Sequence, residues 1–263
     1  MSYSRFRFAK IKNHKVDDNF LERLGEGMLK FGVQNIEPRR FGFRVVKKEK
    51  DHLWARFVKE RIRKDPVLTR TNDESKESHR VAHFKYVFIF PNGLIAYETL
   101  RITKSDIFEA IVASWQKVKK SNESDIEIIT KDEFEPKLLK EFYNESKMVN
   151  YISVKEIGKK PPNPHPPKKF YKEITTDIGA DAERLDIKAK SRRKGNLKDI
   201  NLLEEGIIPL SQIEKINAID EENFAFEIDR KGVVSSFTPD NNEDKKREKI
   251  LKLIKRAINY LKD

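Results

Sequence analysis

Residues 81–102, Val-Ala-His-Phe-Lys-Tyr-Val-Phe-Ile-Phe-Pro-Asn-Gly-Leu-Ile-Ala-Tyr-Glu-Thr-Leu-Arg-Ile, constrain the fold more than any other stretch. Two runs rich in aromatic and β-branched residues flank Pro91-Asn92-Gly93, and Asn and Gly tolerate the positive φ that a tight reversal needs. Between Phe84 and Phe90 only Lys85 interrupts the apolar run. A half-buried strand alternates and this one does not, so the pattern predicts a central strand covered on both faces. The hairpin is the expected nucleus of the main sheet.

The rest of the chain mixes strands with helices. Ser4 to Lys12 sets Arg5 and Arg7 opposite Phe6 and Phe8, a strand with a basic outer face. Asp17-Asp18-Asn19 can cap a helix in which Phe20, Leu21, Leu24, Met28, Leu29 and Phe31 recur at helical spacing and Gly32 is the stop, although Gly25 and Gly27 weaken its middle. Phe41 to Lys50 reads as a strand with Phe41, Phe43 and Val45 on one face. The piece holding Trp54, Phe57 and Val58 fits a strand or a short helix, and residues 70–79 read as an exposed, mobile loop. After the hairpin, Thr103 and Asp106 have capping-box spacing ahead of the face Ile107, Phe108, Ile111, Val112, Trp115 and Val118. A short strand at 126–129, a helix over 132–146 and a strand over 148–157 follow.

Five prolines in residues 161–167 forbid a helix interior or a central strand. Residues 158–169 are therefore expected to be a stiff, basic linker or loop, leading into a helix over 170–178. Leu185, Ile187 and Ala189 alternate with Asp186, Lys188 and Lys190 as a strand, and residues 190–195 form a basic tip. Residues 202–219 read as mostly helical, 224–237 as a second hairpin turning at 229–232, and a closing helix from Asn242 carries Ile250, Leu251, Ile254, Ile258 and Leu261. The fold class this order predicts is α+β: a mainly antiparallel mixed sheet built on hairpins, with amphipathic helices interspersed. The expected domains are 1–157 and 170–263, joined by 158–169, or one continuous domain.

Composition narrows function by exclusion. The chain has no cysteine, which removes disulfides, thiolate metal sites and a cysteine nucleophile, and fits a cytoplasmic setting. No run approaches a membrane span, and the opening residues lack the apolar core of a signal peptide. The net charge of +12 is unevenly spread: residues 1–80 hold 21 Lys/Arg against 12 Asp/Glu, residues 159–198 hold 12 against 5, and the remainder is acidic on balance. Two basic segments in an otherwise mildly acidic chain suit phosphate-bearing partners, or a solubilising lysine-rich surface.

Motifs for catalysis are sparse. There is no Walker-type loop and no Gly-x-Ser-x-Gly elbow, and Gly25-x-Gly27 falls inside a helical pattern. The histidines are His14, His52, His79, His83 and His165. His79 and His83 could share a face, but no His-Glu-x-x-His pattern accompanies them, so no metal and no cofactor is assigned. Asp186-Ile-Lys188 is an acid-x-Lys on a predicted strand, the pattern a metal-dependent nuclease would use and also that of a strand's solvent face. His14 or His52 could serve a metal-free ribonuclease.

The basic segments point further. Arg39-Arg40-Phe-Gly-Phe-Arg44 with Lys47-Lys48 interleaves cations with aromatics, and alternation makes Phe41 and Phe43 core with a basic outer face. The expected phosphate contacts are Arg39, Arg40, Arg44, Lys47, Lys48, Arg56, Arg61, Arg63 and Lys64 in the first segment, and Lys188, Lys190, Arg192, Arg193 and Lys194 in the second. The expected function is binding of DNA or RNA without catalysis. The alternatives are a nuclease or ribonuclease toxin of a mobile-element or phage-defence (antiviral) system, and an interaction subunit whose basic surface meets an acidic protein partner.

Overall fold

A computed structural model describes residues 2–36, 39–68, 74–99, 104–155, 184–189, 196–200, 212–238 and 242–262. These form twelve strands and four α-helices in an α+β arrangement whose sheet pairings are mainly antiparallel. They fall into two compact units, Phe6–Thr130, and Lys131–Asp263 together with Met1–Arg5. The first of these ends at Thr130, and the strand Met148–Lys155 pairs with C-terminal strands. The expected linker 158–169, the helix 170–178 and the basic tip 190–195 lie outside the described residues. Among the described residues no helix is long and apolar enough to cross a membrane.

The first unit is built on β1 (Ser2–Ile11), β2 (Val33–Ile36), β3 (Arg39–Lys48), β4 (Leu53–Leu68), β5 (Glu74–Ile89) and β6 (Leu94–Glu98), in the order β2-β3-β4-β5-β6-β1, and β7 (Ile128–Lys131) pairs with β1. The hairpin turns where expected. Ile89 faces Ile95, Phe90 N–H donates to Leu94 O at 2.9 Å, and Gly93 takes the φ of +80° that the reversal requires. The end of β5 at residues 86–89 lies between β4 and β6 and is buried on both faces, whereas residues 81–85, Phe84 among them, are only partly buried or exposed. Val87 and Ile89 join the core with Ala55, Phe57, Ile95 and Tyr97, while Tyr86 and Phe88 are buried opposite, beside Trp54 and Phe6.

Two helices cover the first of these faces. Helix α1 (Asp18–Phe31) starts where Asp17 accepts from Phe20 N–H at 2.9 Å and stops at Gly32. Its buried stripe is Phe20, Leu21, Leu24, Met28 and Phe31. Leu29, expected on that stripe, is 60% exposed because it lies about half a turn from Phe20 around the axis. Helix α2 (Lys104–Gln116) packs on α1 with Trp115 against Phe20, ring centroids 4.5 Å apart. The helices meet at Gly27: a Cβ there would lie 2.2 Å from Ser114 O. The glycine that weakens the helix locally is what allows the close crossing. Nearby, Arg23 donates to both Glu123 oxygens at 2.6 and 2.8 Å, and these hydrogen bonds, with that from Lys120 N–H, hold the Glu123 pKa down at about 2.

One charged pair sits inside this core. Lys59 Nζ on β4 donates to Asp106 Oδ2 on α2, and both residues are buried. Asp106, read from sequence as part of a capping box, is thus an ion-pair partner, and Thr103 lies outside the described residues. A second pair, Lys85 with Glu98 at 3.0 Å, is nearly as enclosed.

Further sequence expectations are corrected here. Residues 74–79 belong to β5, not to a loop: the register runs from Leu53↔Ile89 out to Leu68↔Glu74, making a long antiparallel ribbon. Their polar composition hid a strand whose backbone bonds are satisfied by β4. The piece after His52 is strand, not helix. The β3–β4 register slips between Phe43 and Val45, so Val46, not Val45, packs on the core.

The second unit has helices α3 (Pro136–Glu145) and α4 (Glu243–Ile258), strands β8 (Met148–Lys155), β9 (Arg184–Lys188), β10 (Ile213–Ile219), β11 (Ala225–Asp229) and β12 (Val233–Thr238), and a short turn of helix at Leu197–Ile200. The strand order is β12-β11-β10-β8-β9, antiparallel throughout. Residues 213–219, expected to be helical, are the strand β10: its apolar residues fit either period, and pairing with β8 on one side and β11 on the other decides it. The β11–β12 hairpin turns over 229–232 as expected. Leu138, Leu139 and Phe142 of α3 and Ile250, Leu253, Ile254 and Ala257 of α4 are buried, and Phe142 meets Phe226 at 5.3 Å. The α4 stripe is centred on Leu253 and Ala257, so the expected Leu251 and Ile258 are only partly buried.

Two outcomes test this packing. Gly27→Ala should destabilise the protein by about 1–3 kcal/mol in denaturant melts, because overpacking at the helix crossing outweighs the helix-propensity gain. Asp106→Ala, which strands a buried ammonium, should cost about 3–5 kcal/mol, and the double change Lys59→Met with Asp106→Leu should recover most of it.

Candidate functional site

The predicted cationic residues separate into distinct surroundings. On β3, Arg40 faces Glu60 of β4 directly, Nη1 to Oε2 at 3.3 Å, and Arg44 reaches the other oxygen at 3.2 Å. Arg44 and Arg56 both lie over the Phe84 ring, at 5.6 and 4.5 Å. Glu60 is 8% exposed, whereas Arg40 and Arg44 are 39% and 49% exposed. One shielded carboxylate and one ring therefore orient three guanidinium groups, two of them open to solvent.

Other members are held elsewhere. Lys47 lies 5.7 Å over Trp54, and Lys48 bridges to Asp18 at 2.8 Å. Arg39 opens β3, and Arg61, Arg63 and Lys64 continue β4 at positions opposite Val81, His79 and Ser78. Lys190, Arg192, Arg193 and Lys194 lie outside the described residues. Lys188 belongs to the second unit, on β9.

Among the described residues the histidines lie in separate surroundings. His14 packs on Phe20 and Trp115, with Nε2 3.1 Å from Ser124 O. His52 is buried, its Nδ1 2.8 Å from Asp51 Oδ1. His83 sits opposite Lys59 in the β4–β5 register, and His165 is outside the described residues. Among the described residues no group of three or more His, Asp or Glu is placed to hold a metal ion. Asp186, the acid of Asp186-x-Lys188, accepts from the Tyr151 hydroxyl at 2.9 Å.

A second site, which sequence reading missed, lies on the face of the C-terminal sheet opposite the α3–α4 core. Alternation sends Ile216 and Ile228 toward the helices and leaves a polar row across the strands: Lys188, Tyr151, Asn217, Glu227 and Ser235 are successive register partners. Here a cleft of about 760 Å³ opens, lined by these residues' neighbourhood, with Lys215, Ile219 and Phe237 among them. Lys215 Nζ lies 3.0 Å from Glu227 Oε1. Burial pulls the Lys215 pKa down, but the hydrogen bond with Glu227 and the charges of Glu227 and Asp229, with a smaller contribution from Tyr151, more than offset it, and the ammonium titrates above the ordinary lysine value of 10.5. The signal that could have revealed this row is the alternation Lys215-x-Asn217-x-Ile219, visible only once 213–219 is read as a strand.

No protein-family model and no curated protein sequence matches the chain.

A group whose folded pKa is raised stabilises fully below its unfolded pKa and loses that stabilisation as pH rises through the folded value. The Lys215–Glu227 pair should therefore support the fold as long as Glu227 is ionised, and its contribution should be lost as pH rises above about 10.5 through the raised Lys215 value. Replacing Glu227 with Gln should move the Lys215 pKa down, followed by NMR titration of the lysine side-chain carbons.

Proposed function

We propose that the first unit binds nucleic acid through the outer face of β3 and β4. The observation that carries this reading is the convergence of Arg40, Arg44 and Arg56 on one shielded carboxylate, Glu60, and one ring, Phe84. Arg40 and Arg44, both open to solvent, share the single carboxylate of Glu60, and guanidinium groups already oriented lose less entropy on meeting phosphate oxygens. The basic sequence continues along β4 at Arg61, Arg63 and Lys64, where β4 and β5 form a two-stranded ribbon. Such a ribbon has dimensions suited to a nucleic-acid groove. A chain without cysteine fits work in the cytoplasm.

The test is a salt titration of binding to labelled single- and double-stranded DNA and RNA. Wild-type protein should bind with affinity that falls steeply with salt. The double change Arg40→Glu with Arg44→Glu should weaken binding at least about tenfold and flatten the log–log salt slope by about 2. Unchanged affinity and slope would overturn the reading. Probe integrity after incubation with Mg²⁺ reports on cleavage, and capture of an acidic protein partner without affinity for any probe would replace nucleic acid as the ligand.

A further inference from the structure

The cleft on the open face of the C-terminal sheet has features that the sheet itself does not use. Asn217, on the central strand β10, has its Oδ1 buried with no hydrogen-bond partner. A buried acceptor without a donor is destabilising, so its presence in a cleft marks a place where an N–H group belongs. The rings of Tyr151 and Phe237 line the same cleft. Lys188, on the outer strand β9, is exposed, and its ammonium lies 5.7 Å from the Tyr151 ring with no ion-pair partner among the described residues. The other ammonium, Lys215, is already matched by Glu227.

We infer that this cleft binds a nucleoside phosphate, with the base edge on Asn217, the base against Tyr151 or Phe237, and the phosphate on Lys188. Lys188, Tyr151 and Asn217 are register partners on three adjacent strands. Strands lie about 4.8 Å apart, so the backbone positions of Asn217 and Lys188, two strands away from each other, are about 10 Å apart, a spacing that a nucleotide can bridge between its base edge and its phosphate. A volume of about 760 Å³ holds a molecule of that size. A base edge presents donors and acceptors side by side, which an Asn amide pairs with in a bidentate manner, and every base offers a face for aromatic stacking. The ligand can be a free nucleotide or one unpaired nucleotide of a chain. The inference does not rest on the β3–β4 reading, because it uses residues of the other compact unit.

The experiment titrates isotopically labelled protein with adenosine monophosphate, adenosine, ribose phosphate and a short single-stranded oligoadenylate, following backbone amide shifts. Adenosine monophosphate or the oligoadenylate should bind saturably with a Kd of about 1 mM or tighter, shifting Tyr151, Lys188 and Asn217, and ribose phosphate should bind far more weakly. Asn217→Leu should weaken both adenosine and its monophosphate about tenfold, whereas Lys188→Gln should weaken only the phosphorylated ligands by a similar factor. Binding by the mononucleotide alone identifies a free-nucleotide site; tighter binding by the oligomer identifies a single-strand site. Absence of saturable shifts with all of them, or equal affinity in wild type and Lys188→Gln, would overturn the inference. Lys188 is an exposed residue on the outer strand, so that variant folds even if Asn217→Leu does not.

Discussion

Two-sided burial of β5 at Tyr86–Ile89 is the constraint on which the first unit depends. Each large apolar side chain removed from water contributes about 1.5–3 kcal/mol, and β5 supplies them to both faces. Val87 and Ile89 need a cover, and α1 with α2 provides it. That cover is seated only because Gly27 lets α1 approach the backbone at Ser114. The buried pair Lys59–Asp106 is the exception inside this core. Its two charges lose hydration, and their contact must offset that loss while fixing where α2 meets β4.

Net charge translates poorly into free positive surface. The chain carries +12, yet Arg40 and Arg44 share Glu60, Lys48 holds Asp18, and Lys47 and Arg56 lie over aromatic rings. These contacts do not cancel the charge. They restrict its geometry, which for a phosphate ligand matters as much as the number of lysines and arginines. Among its described residues the first unit thus offers a small oriented cluster on β3 and β4.

The second unit solves its packing differently. Helices α3 and α4 cover one face of its sheet, and the row Lys188, Tyr151, Asn217, Glu227 and Ser235 crosses the other. A row drawn from five strands far apart in sequence is a product of register alone. Tyr151 and Asn217 become neighbours because β10 pairs antiparallel with β8, and a slip of β10 by one residue would turn Asn217 toward the helices.

The sequence by itself determined the elements with strong local period or turn chemistry. The hairpin at Pro91-Asn92-Gly93, the capped helix from Asp17 to Gly32, the β11–β12 hairpin and the α+β class were legible because hydrophobic spacing, caps and turn residues act over a few positions. It placed Arg40 and Arg44 on an outer face for the same reason. What only the tertiary structure decided were features set by distant partners. Residues 74–79 become strand because β4 satisfies their backbone, residues 213–219 become strand because β8 and β11 flank them, and Asp106 meets Lys59 across the core. The sharing of Glu60 by Arg40 and Arg44 and the unpartnered Oδ1 of Asn217 belong to the same category. Neither leaves a local periodic signal, since each arises from side chains brought together by register across strands.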